Sequence, residues 1–234
     1  MKEKVCVIVG GGKGMGAAVA REMNKRHYRL ALMSPSDNCE KLANELDGIA
    51  VRGKAENAAD TQALFDATME KYRRIDSLLI HVGGPTKGDL RDIADEDWIK
   101  ANEMVLLPVI RMSKLVTPIM KDQGGGGSIV NITTFSAFEP SLTFPTSSVY
   151  RVGVSSFTKL YSDRYGSNNI RMNCPLPGFT DSLDLPQKFA DMSTFKRLAS
   201  AEEQARAAAF LLSDDSTYIT GQSIRSDGGV TRHM

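Results

Sequence analysis

Three glycines near the start of the chain are spaced like a loop that binds phosphate. Gly10, Gly14 and Gly16 follow the apolar run 5–9 and lead into a segment of helical periodicity. Because glycine has no side chain, such a loop lets backbone N–H groups and the N-terminus of a helix approach a pyrophosphate. A tight structural turn is the alternative explanation. The position of the glycines between a strand and a helix favours dinucleotide binding.

The elements that would position this loop alternate along the whole chain. Strands are predicted at 5–9, 29–33, 49–52, 77–81, 128–133, 170–174 and 223–226, and helices at 14–27, 38–46, 58–72, 95–121, 147–165 and 202–212. The segments 121–127 and 177–187 are predicted to be loops. This alternation is typical of βα units whose strands are covered on both faces. We expect a single domain over residues 1–234, an α/β three-layer αβα sandwich with a mostly parallel seven-stranded sheet.

The composition argues against several kinds of partner. Lysine and arginine number 29 against 28 aspartates and glutamates, so the net charge of +1 favours neither nucleic acid nor a membrane surface. Three widely spaced cysteines indicate neither a disulfide framework nor a metal site. No apolar run is long enough to span a bilayer. We expect a cytoplasmic protein whose partner is a small molecule.

Landmarks along the chain resemble the short-chain dehydrogenase/reductase family. The sequence HVGG (81–84) stands where the family has Asn-Asn-Ala-Gly, and DEDW (95–98) opens the following helix. SIVNITT (128–134) is the fifth strand, PGF (177–179) follows the sixth, and YITGQSIRSDGG (218–229) closes the chain. The resemblance covers essentially the whole length in the family's order. It implies a Rossmann-type fold and an NAD(P)(H)-dependent oxidoreductase.

Two residues favour NADP over NAD within this resemblance. In the family, an acidic residue at the end of the second strand selects NAD, and a basic residue before the second glycine favours NADP. Here Ser34 follows the second strand and Lys13 precedes Gly14. A lysine with no opposing carboxylate suits a 2′-phosphate. NAD is the alternative cofactor, with Lys13 as a solvated loop residue.

The resemblance also identifies the residues expected to bind the cofactor. Lys54 stands where the family has an aspartate for the adenine amino group, and lysine cannot accept that hydrogen bond. The adenine pocket is therefore expected to be rebuilt or weaker. The predicted cofactor-binding residues are Gly10, Gly12, Lys13, Gly14, Met15, Gly16, Ser34, Gly83, Gly84, Arg151, Pro177, Gly178 and Thr180.

The catalytic positions of the family all carry other residues in this chain. No Tyr-x-x-x-Lys pair occurs in it. Aligning FTK (157–159) with its usual place puts Ser147 at the tyrosine position, Arg151 at the lysine position and Thr134 at the serine position. Val105 takes the place of the asparagine that anchors a water. The catalytic candidates are therefore Thr134, Ser147, Arg151 and a nearby phenol, Tyr150.

These replacements differ in severity. The Thr134 hydroxyl can donate and accept as serine does, and Arg151 keeps a cation that could bind ribose oxygens. Ser147 is far too weak an acid to replace a phenol. Tyr150, three residues further along the helix, could swing back as the proton donor or could instead pack in a helix seam. His81 could serve as an acid or base, or as a structural hydrogen-bonding residue.

The sequence leaves three functions open. The first is an oxidoreductase with an atypical site that transfers hydride to or from a small carbonyl, alcohol or imine. The second is a catalytically silent dinucleotide-binding protein. The third is a lyase similar to halohydrin dehalogenases, which also have arginine at the lysine position but keep the tyrosine and lack the glycine loop.

Two further features concern assembly and access. The helical segments 101–121 and 147–165 carry apolar residues on more than one face, which indicates a homo-oligomer. The family resemblance implies a tetramer or dimer through these helices. The segment 181–200 is expected to cover the substrate site as a lid whose apolar wall consists of Leu183, Leu185, Phe189, Met192 and Phe195.

Overall fold

The computed structural model describes residues 3–232, which form one sheet of seven parallel strands. The strands are β1 Val5–Val9, β2 Arg29–Ser34, β3 Ile49–Arg52, β4 Ser77–Ile80, β5 Gly127–Asn131, β6 Ile170–Pro177 and β7 Ser223–Ser226. Their order is β3-β2-β1-β4-β5-β6-β7, and each neighbouring pair is parallel. The predicted fold class is confirmed. The strand order reverses between β1 and β4, where open α/β sheets form their ligand crevice.

Eight α-helices connect and cover the strands in the described part of the chain. They are α1 Gly14–Lys25, α2 Asn38–Glu45, α3 Ala58–Tyr72, α4 Asp95–Val105, α5 Leu107–Asp122, α6 Pro145–Tyr165, α7 Gln187–Met192 and α8 Ala201–Leu212. Side chains fix some of their ends. Asn57 caps α3, and Ser200 and Glu203 form a capping box at the start of α8.

Some predicted bounds are wrong, and local chemistry explains two of them. The segment 95–121, predicted as one helix, is divided at Leu106 because Pro108 has no N–H to continue the hydrogen-bond ladder. α6 begins at Pro145 rather than 147, since proline is favoured at the first helical position. β6 continues to Pro177 instead of ending at 174, because Pro177 is still paired with Ser226 of β7.

Alternate residues of each central strand point into two separate cores. On β1, Cys6 and Ile8 pack towards α1 and α8, whereas Val7 and Val9 pack towards α3, α5 and α6. Each fully buried aliphatic side chain contributes about 1.5–3 kcal/mol. The two cores hold the sheet edge that carries the carboxyl ends of the strands.

The glycine run before β5 is a turn at the opposite end of the sheet. Gly124 and Gly126 have φ values of +81° and +73°. A Cβ on Gly126 would lie 2.2 Å from the carbonyl oxygen of Asn169, so glycine is required there by both conformation and space. Among residues 3–232, no helix is long and apolar enough to cross a bilayer, and no cluster of side chains could hold a metal ion.

Candidate cofactor and active site

Close backbone contacts shape the glycine loop. Gly10 has a φ of +83°, and a Cβ there would lie 1.9 Å from the carbonyl oxygen of His81. A Cβ on Gly16 would lie 2.0 Å from the carbonyl oxygen of Gly10. The first turn of α1 has neither a side-chain cap nor an acidic residue. Its N–H groups therefore have no side-chain acceptor, which suits the binding of an anion.

A cavity of about 520 Å³ lies beside this loop at the carboxyl ends of β1, β2 and β4. We call it the glycine-loop cavity. It brings together six of the predicted cofactor residues, and its lining also contains Lys54 and His81. The six predicted residues are Gly10, Gly12, Lys13, Ser34, Gly83 and Gly84.

Gly83 and Gly84 show that this cavity has room for a ligand. Neither has a positive φ, and a Cβ on either would have no atom beyond its chain neighbours within 4 Å. The backbone and the packing of the protein therefore do not require glycine at these positions. Side chains there would reduce the cavity that the two residues line. Their absence leaves space for a molecule such as a dinucleotide.

The charged groups of the cavity favour an anion. Lys13 and Lys54 are exposed and form no ion pair with any other residue in 3–232. The nearby Glu40 is engaged by Arg52 at 2.8 Å. Glu56 is the single carboxylate of the lining. With two lysines against one glutamate, the lining carries a net positive charge.

Ser34 presents a neutral group at the end of β2. It is buried, and its Oγ donates a hydrogen bond to the carbonyl oxygen of Ser36 at 3.1 Å. A Cβ on Gly12 would lie 2.3 Å from the same Oγ, so the serine and the loop are in close contact. An acidic side chain at residue 34 would place a negative charge beside the loop and oppose a phosphate.

Arg151 joins the ends of β4 and β5 to α6. Its Nη1 donates to the carbonyl oxygen of Ile132 at 2.8 Å, and its Nη2 donates to those of Val82 at 3.3 Å and Gly83 at 3.1 Å. Its Nε donates to Ser147 Oγ at 3.1 Å. Burial lowers the pKa of Arg151 to about 10, which still leaves it cationic at neutral pH. The guanidinium is therefore held by the protein itself, and a contact with ribose would have to share or replace one of these bonds.

Ser147 and Thr134 are the half-buried hydroxyls on this side of the cleft. Thr134 follows β5 and accepts a hydrogen bond from Ser136 Oγ at 3.5 Å. The buried Ser136 was missed in the sequence, although it lies only two residues beyond Thr134. Each of the two predicted hydroxyls therefore accepts a hydrogen bond from a protein side chain.

Tyr150 lies against a neighbouring helix. Its ring is 6.2 Å from that of Trp98 on α4, measured between centroids. It is partly buried against the core on the α5 and α6 side. This placement favours the packing interpretation of Tyr150 over its use as a proton donor. Val105 is buried in the same core and offers no polar group.

His81 is neutral at physiological pH. Burial, with a smaller contribution from the charge of Arg151, lowers its pKa from 6.5 to about 4. Its backbone carbonyl oxygen lies against Gly10, and the residue is part of the lining of the glycine-loop cavity. A group with this pKa carries almost no proton at pH 7, so it is a poor general acid there.

The segment after β6 reaches back to the glycine loop. Gly178 follows Pro177, and a Cβ on it would lie 2.7 Å from the carbonyl oxygen of Asp227. The buried Thr180 shares a hydrogen bond with Ser182, Oγ1 to Oγ, at 2.9 Å. Ser182 was not predicted, yet its Cβ lies 3.2 Å from the position of a Cβ on Gly14. Met15, in the first turn of α1, packs partly on the core instead.

The predicted lid, residues 181–200, contains one short helix, α7. Only some of its apolar side chains pack against the rest of the protein. Phe189 packs on Phe179 with ring centroids 4.7 Å apart, and Phe179 packs in turn on Phe135 at 5.2 Å. Leu183, Met192 and Phe195, which were expected in an apolar wall, are exposed. The aromatic contact places Phe189 on Phe179, and a backbone hydrogen bond from Thr194 to Gly228 also attaches this segment to the protein.

The sequence matches a protein-family model over most of its length. The model described as enoyl-(acyl carrier protein) reductase covers residues 10–231. A 7alpha-hydroxysteroid dehydrogenase of Bacteroides fragilis is 30% identical over 249 aligned positions, which cover 99% of this chain and 96% of that protein.

Two solved structures superpose on nearly the whole chain. YwfH, an NADPH-dependent reductase involved in bacilysin biosynthesis, has a TM-score of 0.92 at 26% identity, covering 99% of this chain and 100% of that one. L-sorbose reductase from Gluconobacter frateurii, solved with NADPH and L-sorbose, has a TM-score of 0.94 at 25% identity, covering 100% and 98%.

Proposed function

The chain belongs to the short-chain dehydrogenase/reductase family, and we propose that it is an NADP(H)-dependent oxidoreductase acting on a small molecule. The observation that carries this proposal is the glycine-loop cavity. Gly83 and Gly84 leave open space in it although the fold does not need glycine there. Next to it, the N-terminus of α1 has no side-chain cap, which suits a pyrophosphate.

The preference for NADP is supported by charge. Lys13 and Lys54 line the cavity without ion-pair partners in residues 3–232, and Ser34 puts no carboxylate at the end of β2. Lysine binds phosphate as a point charge, so either ammonium group could meet a 2′-phosphate. The two similar solved structures are of NADPH-dependent or NADPH-bound reductases, which agrees with this preference.

The cofactor, when bound, would supply or accept the hydride. The residues of this chain would bind and orient the reactants. Pro177, Gly178 and Thr180 would flank the nicotinamide end, with Ser182 beside the glycine loop. Thr134 and Ser147 would face the substrate, and Arg151 would hold Ser147 and the strand ends in place.

The proposal is tested by titrating NADPH and NADH separately into the protein and following nucleotide fluorescence. We expect NADPH to bind about tenfold more tightly, which corresponds to about 1.4 kcal/mol. The saturated protein is then screened for oxidation of NADPH with ketones, aldehydes, imines and conjugated carbonyl compounds. Turnover with any of them supports the oxidoreductase.

The same experiment separates the other two functions. Binding of NADPH with no turnover of any class would indicate a silent dinucleotide-binding protein, an outcome that the engaged Arg151 and the packed Tyr150 make worth testing. Release of halide from a halohydrin without nucleotide would indicate a lyase. Failure of both nucleotides to bind would reject the proposed function.

We also propose that the protein is a homo-oligomer, a dimer or tetramer, formed through the faces of α5 and α6. Val149, Val152 and Leu160 on α6 are exposed apolar residues, at 51%, 44% and 66%. A groove between α5 and α6 lies beside them and is lined by Ile110, Phe157 and Leu160, among others. Light scattering on the eluted protein measures the mass, and a change of Leu160 to lysine should shift it towards the monomer.

A further inference from the structure

A lysine lies at the rim of the proposed substrate side. Lys87 is in the loop between β4 and α4, and its Nζ is 5.0 Å from the centroid of the Phe144 ring. Phe144 immediately precedes α6 and is three residues before Ser147. The ammonium group therefore lies beside the start of the helix that carries Ser147 and Arg151.

Hydrogen bonds fix the loop that carries Lys87. Thr146 is completely buried, and its Oγ1 donates to the carbonyl oxygen of Thr86 at 2.5 Å. Thr86 Oγ1 donates in turn to Asp97 Oδ1 at 3.2 Å. Because Thr146 is the neighbour of Ser147 in α6, the backbone just before Lys87 has a defined position relative to the substrate side. The long, exposed side chain of Lys87 can still move towards a ligand.

The ammonium group of Lys87 is not neutralised by the protein. Within residues 3–232 it forms no ion pair. Two carboxylates near it in the chain are engaged elsewhere, since Asp89 accepts a hydrogen bond from a backbone N–H of its own loop and Asp97 accepts one from Thr86. The charge of Lys87 is therefore available to a ligand.

Arg151 adds positive charge on the same side of the cleft. Its guanidinium donates to three backbone carbonyl oxygens and to Ser147 Oγ, so in the described part of the chain no carboxylate is bonded to it. His81, at the end of β4, is neutral at physiological pH. Two cations without a bonded carboxylate favour a substrate that carries negative charge.

Aromatic rings lie next to both ends of the proposed substrate side. Phe135 follows Thr134, and its ring packs on that of Phe179 with centroids 5.2 Å apart. Phe144 lies at the other end, beside Lys87. These surroundings suit a substrate with an apolar body and one anionic group.

A carboxylate would bind Lys87 more strongly than the Phe144 ring does. A contact between an ammonium group and a ring is weak at an exposed position, whereas a hydrogen bond from an ammonium group to a carboxylate joins two opposite charges. One ammonium group matches the single charge of a carboxylate, but it would leave part of the charge of a phosphate unmatched. Lys87 can therefore exchange the ring for a carboxylate.

We propose that Lys87 binds a carboxylate group of the substrate, and that the substrate is a small oxo acid, or the corresponding hydroxy acid, with an apolar segment between its two functional groups. This inference rests on the proposed function as an NADP(H)-dependent oxidoreductase. In the reduction, the carbonyl carbon gains the hydride of NADPH, and the carbonyl oxygen gains a proton from water. The products are the hydroxy acid, NADP+ and hydroxide, and the carboxylate is unchanged. Lys87 thus selects the substrate without touching the reacting atoms.

A binding measurement tests the carboxylate site without turnover. 4-Phenylbutanoate and 4-phenylbutanamide share their ring and chain and differ in charge, and each is titrated by calorimetry into the protein with and without NADP+. We expect the acid to bind about tenfold more tightly than the amide. Lys87→Met keeps an apolar side chain beside Phe144 and should bind the two compounds equally. Lys87→Arg should keep most of the preference, and Lys25→Met, at the far end of α1, should keep all of it.

The proposal is overturned if the acid and the amide bind equally to the wild-type protein, if neither binds at millimolar concentration, or if Lys87→Met keeps the preference. The unfolding midpoint of Lys87→Met should match that of the wild type, because the side chain is exposed. Failure of NADPH to bind would reject the proposed function, whereas normal NADPH binding with no preference for the acid would reject only the carboxylate site.

A matched pair of substrates tests the class. 4-Oxo-4-phenylbutanoate and its methyl ester share the reacting carbonyl group and the ring, and with NADPH the acid should have a kcat/KM about tenfold higher. Lys87→Met should remove this difference by raising the KM of the acid, with little change in kcat and no change for the ester. Equal kcat/KM values for the two compounds, or reduction of neutral carbonyl compounds alone, would contradict the assignment.

Discussion

The two sides of the cleft are built on different principles. On the side of the glycine loop, the site is formed mainly by backbone, because glycines such as Gly10, Gly83 and Gly84 have no side chains to fill the space. On the proposed substrate side, it consists of side chains, among them Thr134, Ser147 and Arg151. A backbone site persists as long as the fold does, whereas proton chemistry depends on the identity of single residues. The shape of the cavity therefore follows from the fold, whereas the proposed proton chemistry has to be tested residue by residue.

Removing Arg151 should have the largest effect on stability, because this side chain binds three backbone carbonyl oxygens at the strand ends. The variant tests whether Arg151 holds the substrate side together. Arg151→Ala leaves three backbone carbonyl oxygens without their donor. We expect the free energy of unfolding to fall by about 3 kcal/mol, measured by urea denaturation. Arg91→Ala, at an arginine outside the site whose side chain is 93% exposed, should change it by less than about 0.5 kcal/mol. If both variants lose equally little free energy of unfolding, Arg151 does not stabilise the fold, and its guanidinium is available to bind a ligand.

Filling the cavity tests the other side of the comparison. Gly83→Val should weaken NADPH binding about 100-fold, because the new side chain occupies space that a nucleotide needs. Gly125→Val is the matched control, since a Cβ there is equally unobstructed but lies in the turn before β5. Both variants should unfold near the wild-type midpoint. If Gly83→Val binds NADPH as tightly as the wild type, the nucleotide does not occupy the glycine-loop cavity.

The low pKa of His81 should appear in the pH dependence of stability. Its pKa in the folded protein, about 4, lies below its ordinary value of 6.5. Between these values the unfolded chain binds a proton that the folded protein does not, so the free energy of unfolding should fall as the pH drops from 6.5 to 4. Above pH 6.5 this residue contributes no pH dependence.

Replacement of the histidine checks the assignment. His81→Gln should make the stability profile flatter between pH 6.5 and 4. If His81→Gln leaves the profile unchanged between pH 6.5 and 4, burial does not lower the pKa of His81, and the residue could act as an acid near neutral pH.

The lysines should give the smallest effect and would refine the cofactor preference. Lys13→Ala and Lys54→Ala should each weaken NADPH by up to about tenfold and leave NADH nearly unchanged, because only NADPH carries the 2′-phosphate. Lys25→Ala, at the far end of α1, is the control. Equal losses for both nucleotides would place the lysines at the pyrophosphate instead.

The sequence predicted the fold well because its main determinants are local. Short apolar runs such as 5–9 and the glycine spacing after them are visible without any knowledge of distant contacts. The errors arose where local pattern and backbone chemistry disagree. An apolar helical period continues through Leu106, but Pro108 interrupts the ladder. β6 is longer than its apolar run because β7 pairs with it as far as Pro177.

The site was less predictable because it depends on contacts between distant segments. Arg151 could be placed by alignment, but its hydrogen bonds to carbonyl oxygens of residues 82, 83 and 132 could not be read from spacing. Ser136 and Ser182 have no distinctive sequence context and acquire their roles only when the loops meet. Tyr150 was correctly noted as close to Ser147 in sequence, but only the fold shows Trp98 beside its ring.

The central claim is most directly tested by a crystal structure of the protein grown with saturating NADP+. We expect the adenosine phosphate beside Lys13 or Lys54, the pyrophosphate at the N-terminus of α1, and the nicotinamide ring within reach of Ser147 and Thr134. A glycine-loop cavity that stays empty, or a nucleotide bound elsewhere on the protein, would contradict the account.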